Sequence, residues 1–345
     1  ACVVRCKREV SSDGKYKIPR QLGGPEYESI ATLGSYCGIS DLEAVSFANA
    51  LCNDYGLDTI AAGATIAWAM ECFEDGILTL ADTDGLELRM GDADAMIAAL
   101  KALAFRKGKL GDLLAEGSAA AARRLGPAAQ DRTITVKGSE LPAHMPQVKA
   151  SMGLIYAVNP FGADHQSSEH DPSYEESSGP VNLGRLAYLG LTTPVPATDL
   201  GPEKVEFTLK TQYWTSATDV LNLCQFDWGA TWQLYGPEVM ADVVNAVTGW
   251  DVTGAELMTL GARRVNLQRV FNAREGLSRL EDVLPKRVYE PLVGGSTAGA
   301  VVSEDVIERA KDLYYRMAGW DMETGNPDAD RLAELGIGWA ADHLA

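Results

Sequence analysis

Apolar positions recur every three or four residues along most of this chain, the period of helices that bury one face. In 40–53, Leu42, Val45, Phe47, Ala48, Leu51 and Cys52 keep that spacing, with Ser40 as the N-cap. A second helix is expected from Asp58 through Glu71, capped by Asp58 or Thr59, with Ile60, Ala64, Ala67 and Trp68 along a face. Between them Gly56 is placed to end the first helix in a left-handed conformation. The same spacing predicts helices at 92–106, 110–125, 237–248, 253–275, 303–317 and 328–335. Residues 159–213 break the pattern: Pro160, Pro172, Pro180, Pro194, Pro196 and Pro202 among Gly, Ser, Asp and Glu read as long connecting loops. Weak extended stretches at Thr133 to Lys137 and Val205 to Leu209 suggest a small strand pair, and no internal repeat is evident. The expected fold is mainly α, with two helical domains over 1–158 and 159–345 and long loops between.

Composition narrows the function. The chain has 345 residues, 46% of them hydrophobic and 23% charged, which is ordinary for a globular protein. Thirty basic against 48 acidic residues leave a formal charge of −18, which repels nucleic acid and acidic lipid surfaces. The longest apolar run, near Thr59 to Met70, is too short for a membrane span and stops at Glu71. Six cysteines in so long a chain are too few for a disulfide-built fold, and no targeting signal is visible, so cytoplasm is the default expectation. A homo-oligomer is compatible with this composition.

The cysteines nevertheless carry a chemical hint. Cys2 and Cys6 have the spacing that closes a C-x2-C-x3-C run, whose opening cysteine would precede residue 1. Cys224 is a remote candidate for a fourth thiolate, and three clustered thiolates plus one distant one suit a [4Fe-4S] cluster. The bland alternative is that these are small buried hydrophobes. Cys37, Cys52 and Cys72 fall on apolar helix faces and read as core.

Two distant segments look alike. Asn53 to Asp58 and Asp219 to Cys224 each run polar residue, two spacers, turn-former, leucine, functional residue. Gly56 and Asn222 both tolerate positive φ, so one kind of sharp turn is expected at both places. Such a turn could offer carboxylate acceptors to the amide and amine edge of a heterocycle; an ordinary helix C-cap followed by an N-cap is the plainer reading.

The chain resembles the tungsten-containing aldehyde:ferredoxin oxidoreductases. Cys2-x3-Cys6, Gly24-Pro-Glu-Tyr-Glu28, Asn53-x2-Gly-Leu-Asp-Thr59, Gly162-Ala-Asp-His165, Asp219-x2-Asn-Leu-Cys224 and the run from Asn266 to Gly276 occur in that family's order. The resemblance covers essentially the whole chain and corresponds to the family's two C-terminal helical domains, without its N-terminal β-rich domain. It implies a tungsten (or molybdenum) bis-pterin and a [4Fe-4S] cluster, with Cys2, Cys6 and Cys224 as cluster ligands. Asn53, Asp58, Thr59, Asp219 and Leu223 would contact the pterins. Asn53 stands where the family usually has an acidic residue, with Asp54 as the other register, and Asn222 where it usually has glycine. Glu28, with Glu26 as second choice, would be the proton acceptor, and His165 would bond the substrate oxygen.

The implied activity is oxidation of a small aldehyde to its acid, with ferredoxin or another electron-transfer protein as partner. Two alternatives remain at this stage: the catalytic subunit of an aromatic acyl-CoA reductase of the same family, or a non-enzymatic helical metal-binding protein. A large sealed aromatic pocket around Phe161 to Pro172 would favour the reductase, and a narrow, water-accessible one aldehyde oxidation. Away from the resemblance, Glu26 and Glu28 read as exposed helix-start residues, and His165 as a loop histidine bonded to a carbonyl. His170 could reach the pocket but is not chosen, and His144 and His343 read as structural or exposed. Arg263, Arg264, Arg269 and Arg274 read as a salted helix face. Trp228, Trp232 and Tyr235 are expected near the Cys224 loop or along a substrate channel.

Overall fold

The computed structural model describes residues 2–344 and separates into two compact units, one ending at Ala143 and the other starting at His144. The first unit holds α1 (Tyr27–Leu33), α2 (Leu42–Tyr55), α3 (Thr59–Glu74), α4 (Ala93–Ala104), α5 (Gly108–Leu114), α6 (Ser118–Leu125) and α7 (Pro127–Gln130), then a strand pair, β1 (Thr135–Val136) and β2 (Ser139–Glu140). The second holds α8 (Ala150–Val158), α9 (Pro180–Tyr188), α10 (Pro202–Val220), α11 (Pro237–Thr248), α12 (Gly254–Arg274), α13 (Glu304–Ala318) and α14 (Ala329–Glu334). The fold is mainly α, as the periodicity predicts. The division falls earlier than the expected 158/159, because α8 packs on α10 and α13 and belongs to the second unit.

Four of these helices start on a carboxylate or hydroxyl cap. Asp41, rather than the expected Ser40, caps α2 by accepting from the amides of Glu43 and Ala44. Asp58 caps α3 through the amide of Ala61, and Asp92 caps α4 through Ala95. Thr253 and Glu256 close a reciprocal capping box at the start of α12. The helix expected over 110–125 is two, α5 and α6, parted at Gly117. That break leaves the Ser118 amide available to Thr65 Oγ1 at 3.1 Å and to Glu140 Oε1 at 2.9 Å, which gives the buried Glu140 carboxylate a donor.

The loop expectation for 159–213 is corrected most sharply. Pro202 sits in the first turn of the 19-residue α10, where a missing N–H costs nothing, and Pro180 does the same for α9. Val205 to Leu209 is therefore helix interior, not a strand. The strand that β1 pairs with is β2, in antiparallel register Thr135 to Glu140 and Val136 to Ser139 across Lys137 and Gly138, both at positive φ. The hydrophobic core of the first unit runs through α1, α2, α3 and α4 with Leu33, Ile66, Met70, Met96 and Leu100 fully buried. In the second, α10 lies against α12 so closely that a Cβ on Gly261 would fall 1.8 Å from the carbonyl oxygen of Tyr213.

Candidate functional site

The two look-alike segments do form one kind of turn, each at the end of a helix. In the first unit α2 ends with Gly56 at φ +70°, and the Leu57 amide reaches back to the Cys52 carbonyl at 2.9 Å. In the second unit α10 ends with Asn222 at φ +56°, and the Leu223 amide reaches the Thr218 carbonyl at 3.0 Å. Both are Schellman-type endings, the leucine supplying the long back-bond. The plainer reading of the first segment also holds, since Asp58 caps α3.

The geometry states what each residue can offer a ligand. Asn53 donates its amide N–H to the Leu22 carbonyl at 2.6 Å, which turns its side-chain oxygen into the atom it can present as an acceptor. Asp58 is exposed and uses Oδ1 on the Ala61 amide at 2.8 Å, leaving its second oxygen as the outward acceptor. Thr59 shares a hydrogen bond with Ser29 at 2.9 Å. Asp219 pairs with Arg264 at 3.0 Å and accepts from Gln225 at 3.3 Å. Partial burial raises its carboxyl above the usual range, against the pull of Arg264. The Leu223 amide is committed to Thr218, so this residue meets a ligand through its carbonyl and side chain.

Glu28 departs from the expectation of an exposed helix-start glutamate. It lies in the first turn of α1 with 8% exposure, and Oε2 accepts from the Ala143 amide at 2.8 Å. Glu26, the second choice, is exposed and pairs with Arg8 at 2.5 Å. The cysteines divide cleanly: Cys37, Cys52 and Cys72 are buried, while Cys2, Cys6 and Cys224 are exposed. Burial pushes the Cys37, Cys52 and Cys72 thiols up to about 12, which makes them inert. An unburied position is unusual for cysteine, and the three exposed thiols are the proposed metal ligands, a donor set suited to iron.

The second unit gathers three of the four histidines. His165 stacks on His144 with ring centroids 4.9 Å apart and planes 22° from parallel, and His170 meets His144 edge-on at 4.4 Å. Lys149 joins them, its Nζ 3.0 Å from His144 Nδ1 and 3.2 Å from His170 Nδ1. The loop after α8 that carries His165 is tied by its own side chains. Asn159 donates to Ser167 Oγ at 2.9 Å, Asp164 accepts from Gln166 N at 2.9 Å and from Ser167 Oγ at 2.6 Å, and His170 Nε2 donates to the His165 carbonyl at 2.9 Å. Burial, aided by the Lys149 charge, pulls the His170 imidazole down to about 3.

Beside this cluster lies a cavity of about 300 Å³ lined by Lys149, Gln166, Glu169, His170, Trp228 and Trp232 among others. Glu169 is buried in its wall and accepts from Gln233 Nε2 at 2.7 Å and Thr231 Oγ1 at 2.9 Å, which fastens the 228–235 loop. Burial raises its carboxyl, and those donors work against the rise. Trp228 packs on Tyr235 with centroids 4.7 Å apart, and Trp232, 54% exposed, stands at the rim. From the sequence, His144 reads as structural or exposed and His170 as a residue that could reach the pocket, while Lys149 and Glu169 are given no role. The one local signal was a lysine at the threshold of the apolar run that becomes α8. Arg269, read as part of a salted face, is instead fully buried against Asp282 at 2.8 Å.

The second unit thus sets an imidazole cluster beside a cavity walled by charged, amide and indole side chains. The chain belongs to the aldehyde ferredoxin oxidoreductase family: residues 1–337 match the family model for aldehyde ferredoxin oxidoreductase, domains 2 & 3. It is 36% identical to the tungsten-containing aldehyde ferredoxin oxidoreductase of Thermococcus kodakarensis, over 98% of this chain and 52% of that protein. It is 30% identical to the aliphatic sulfonate oxidoreductase, WOR-like subunit, of Pyrococcus furiosus, over 92% of this chain and 46% of that protein. The chain thus spans about half the length of the curated relatives it matches. In fold it resembles the active-site complex of benzoyl coenzyme A reductase with 1,5-dienoyl-CoA, with a TM-score of 0.74 at 20% identity, covering 98% of this chain and 52% of that one. Among the described residues no helix is long and apolar enough to cross a membrane.

Proposed function

We propose that this chain is the helical part of an oxidoreductase that converts aldehydes to carboxylic acids at a tungsten bis-pterin centre and passes electrons through a [4Fe-4S] cluster to ferredoxin. When bound, the metal centre supplies the oxygen-transfer and electron-accepting chemistry, and the cluster the outward path. Cys2, Cys6 and Cys224 hold the cluster in this reading. Asn53, Asp58, Thr59, Asp219 and Leu223 are the pterin contacts in the same reading. Glu28 accepts the proton of the attacking water and His165 donates a hydrogen bond to the substrate oxygen. The Schellman turn at Asn222 then has a function, since one short loop carries both a pterin contact and a cluster thiolate.

The observation that carries aldehyde oxidation over acyl-CoA reduction is the character of the cavity. It is small, its lining includes Lys149, Gln166, Glu169, His170 and Gln225, and an exposed tryptophan stands at its rim. A site that must keep water from an aromatic ring under reduction calls for a larger, apolar enclosure. The test is element analysis, electron paramagnetic resonance and aldehyde-dependent ferredoxin reduction on protein isolated without oxygen from its native cells. Tungsten and iron together with activity are expected; zinc alone overturns the proposal, and tungsten without iron overturns the cluster. Cys224→Ala should abolish the cluster signal while leaving the fold intact, because the side chain is exposed. A retained cluster spectrum in that variant rules out the ligand role.

A further inference from the structure

The four groups His144, Lys149, His165 and His170 come from one stretch of the second unit, and their hydrogen bonds dictate where the protons sit. A lysine ammonium donates and never accepts. Where Lys149 Nζ stands 3.0 Å from His144 Nδ1, that nitrogen must present a lone pair, so the proton of His144 resides on Nε2. The same holds for His170, whose Nδ1 is 3.2 Å from the ammonium. His170 has a second, independent constraint at the other end of its ring: Nε2 faces the His165 carbonyl at 2.9 Å, and a carbonyl only accepts. Both ends of that ring therefore agree on the Nε2–H form.

We propose that Lys149 is a positioning residue that fixes His144 and His170 as neutral Nε2–H tautomers, and so gives the imidazole of His165 an uncharged stacking partner of fixed orientation. The inference rests on the reading of His165 as the substrate-facing group. Three imidazoles with centroids 4.4 to 6.0 Å apart could share a proton in several ways. Protonating His144 or His170 at Nδ1 would set N–H against N–H and place a second positive charge beside the ammonium, which is unfavourable in a partly buried cluster. The cluster thus keeps its positive charge on Lys149, at the cavity wall, with His144 and His170 carrying their protons on Nε2. The low pKa of His170, set by burial and by the neighbouring ammonium, agrees with this arrangement. A ring held in one tautomer by an outer partner is the way proteins commonly orient a working histidine.

The experiment is two-bond 15N–1H correlation spectroscopy on the full chain labelled at histidine, where only four residues contribute. In the unsubstituted protein at neutral pH, His144 and His170 should both show a pyridine-type Nδ1 and a pyrrole-type Nε2. Lys149→Met should turn His144 into a mixture of tautomers, and Lys149→Arg, which keeps a charged donor, should restore the single form. An Nδ1–H signature for either ring in the unsubstituted protein overturns the proposal, and so does a Lys149→Met spectrum with both rings unchanged. If Lys149→Met does not fold, the unsubstituted and Lys149→Arg spectra still decide it. In active enzyme, Lys149→Met should lower kcat/KM by roughly tenfold, and Lys149→Arg should recover most of the loss. The tautomer result judges Lys149, whereas an absence of aldehyde turnover in the unsubstituted enzyme counts against the proposed function and leaves the tautomer result standing.

Discussion

The first unit fills most of its interior with hydrocarbon and thiol, whereas the second buries ion pairs. In the first, Leu33, Cys37, Cys52, Ile66, Met70 and Leu100 form one continuous cluster, and pairs such as Lys15 with Asp94 and Arg124 with Asp112 stand in solvent. In the second, Lys204 meets Asp171 at 3.0 Å and Arg269 meets Asp282 at 2.8 Å, all four side chains fully buried. Ser151 Oγ donates to Asp171 at 2.6 Å, and Tyr315 donates to Asp282, so each carboxylate has more than its ionic partner. An apolar core is forgiving of volume-conserving change, whereas a buried ion pair depends on both members being present. The charged interior lies in the unit that builds the histidine cluster and the cavity, where side chains have to be held in one arrangement.

The sharpest way to break this contrast is to remove one buried cation. Lys204→Met and Arg269→Met should each cost about 3–5 kcal/mol, by leaving a carboxylate uncompensated in the core. For a unit of this size that lowers Tm by roughly 6–20 °C, read by calorimetry. The double replacement Lys204→Met with Asp171→Leu should recover most of the loss, and a double variant as unstable as the single would show that the pair contributes more than charge balance. The next effect is on pH. The His170 pKa is depressed to about 3 in the folded state against about 6.5 for a free histidine, so the unfolded chain takes up the proton first as pH falls. Its contribution is present above about pH 6.5 and is lost toward pH 3. Relative to His170→Gln, the unsubstituted protein should therefore lose on the order of 1.4 kcal/mol per pH unit below 6.5 in urea titrations. A gap between the two proteins that stays constant with pH contradicts this.

Smaller effects sharpen the comparison at the backbone. Gly261→Ala should destabilise the second unit by roughly 1–3 kcal/mol, because the new methyl meets the rigid backbone of α10 rather than a movable side chain. The paired turns give the finest contrast. Gly56 has open space around its Cβ position, so Gly56→Ala should cost about 1 kcal/mol from its left-handed φ alone. Asn222→Gly should change stability by less than about 0.5 kcal/mol, since asparagine already tolerates that conformation and glycine gains freedom when unfolded. Equal costs at the two positions would mean that the Asn222 turn is held by something other than its backbone.

Much of the helical pattern was legible in the chain. The bounds of α12, the end of α2 at Gly56, the left-handed positions at Gly56 and Asn222, and the place of Cys37, Cys52 and Cys72 on apolar helix faces all follow from residues within a few positions of one another. The misreadings have one cause each. Ser40 lost the cap to Asp41, whose carboxylate takes two amides. Val205 to Leu209 looked extended because β-branched and aromatic residues favour strands in isolation, but Pro202 starts a helix there and Trp214, Phe207 and Ala217 bury it. Helix α8 escaped notice because all nine of its residues are buried, so it has no polar face to reveal a period.

What short-range patterns could settle in this protein is therefore where the chain turns, where its helices start and stop, and which thiols sit on apolar faces, because hydrogen bonding and periodicity act over a handful of residues. Burial of Glu28, the pairing of Lys204 with Asp171 and of Arg269 with Asp282, and the meeting of Lys149 with His170 were decided only by tertiary packing. Whether a charge is a solvated ornament or a buried constraint depends on which distant group arrives beside it, and that is a property of the folded chain's interior rather than of its local sequence.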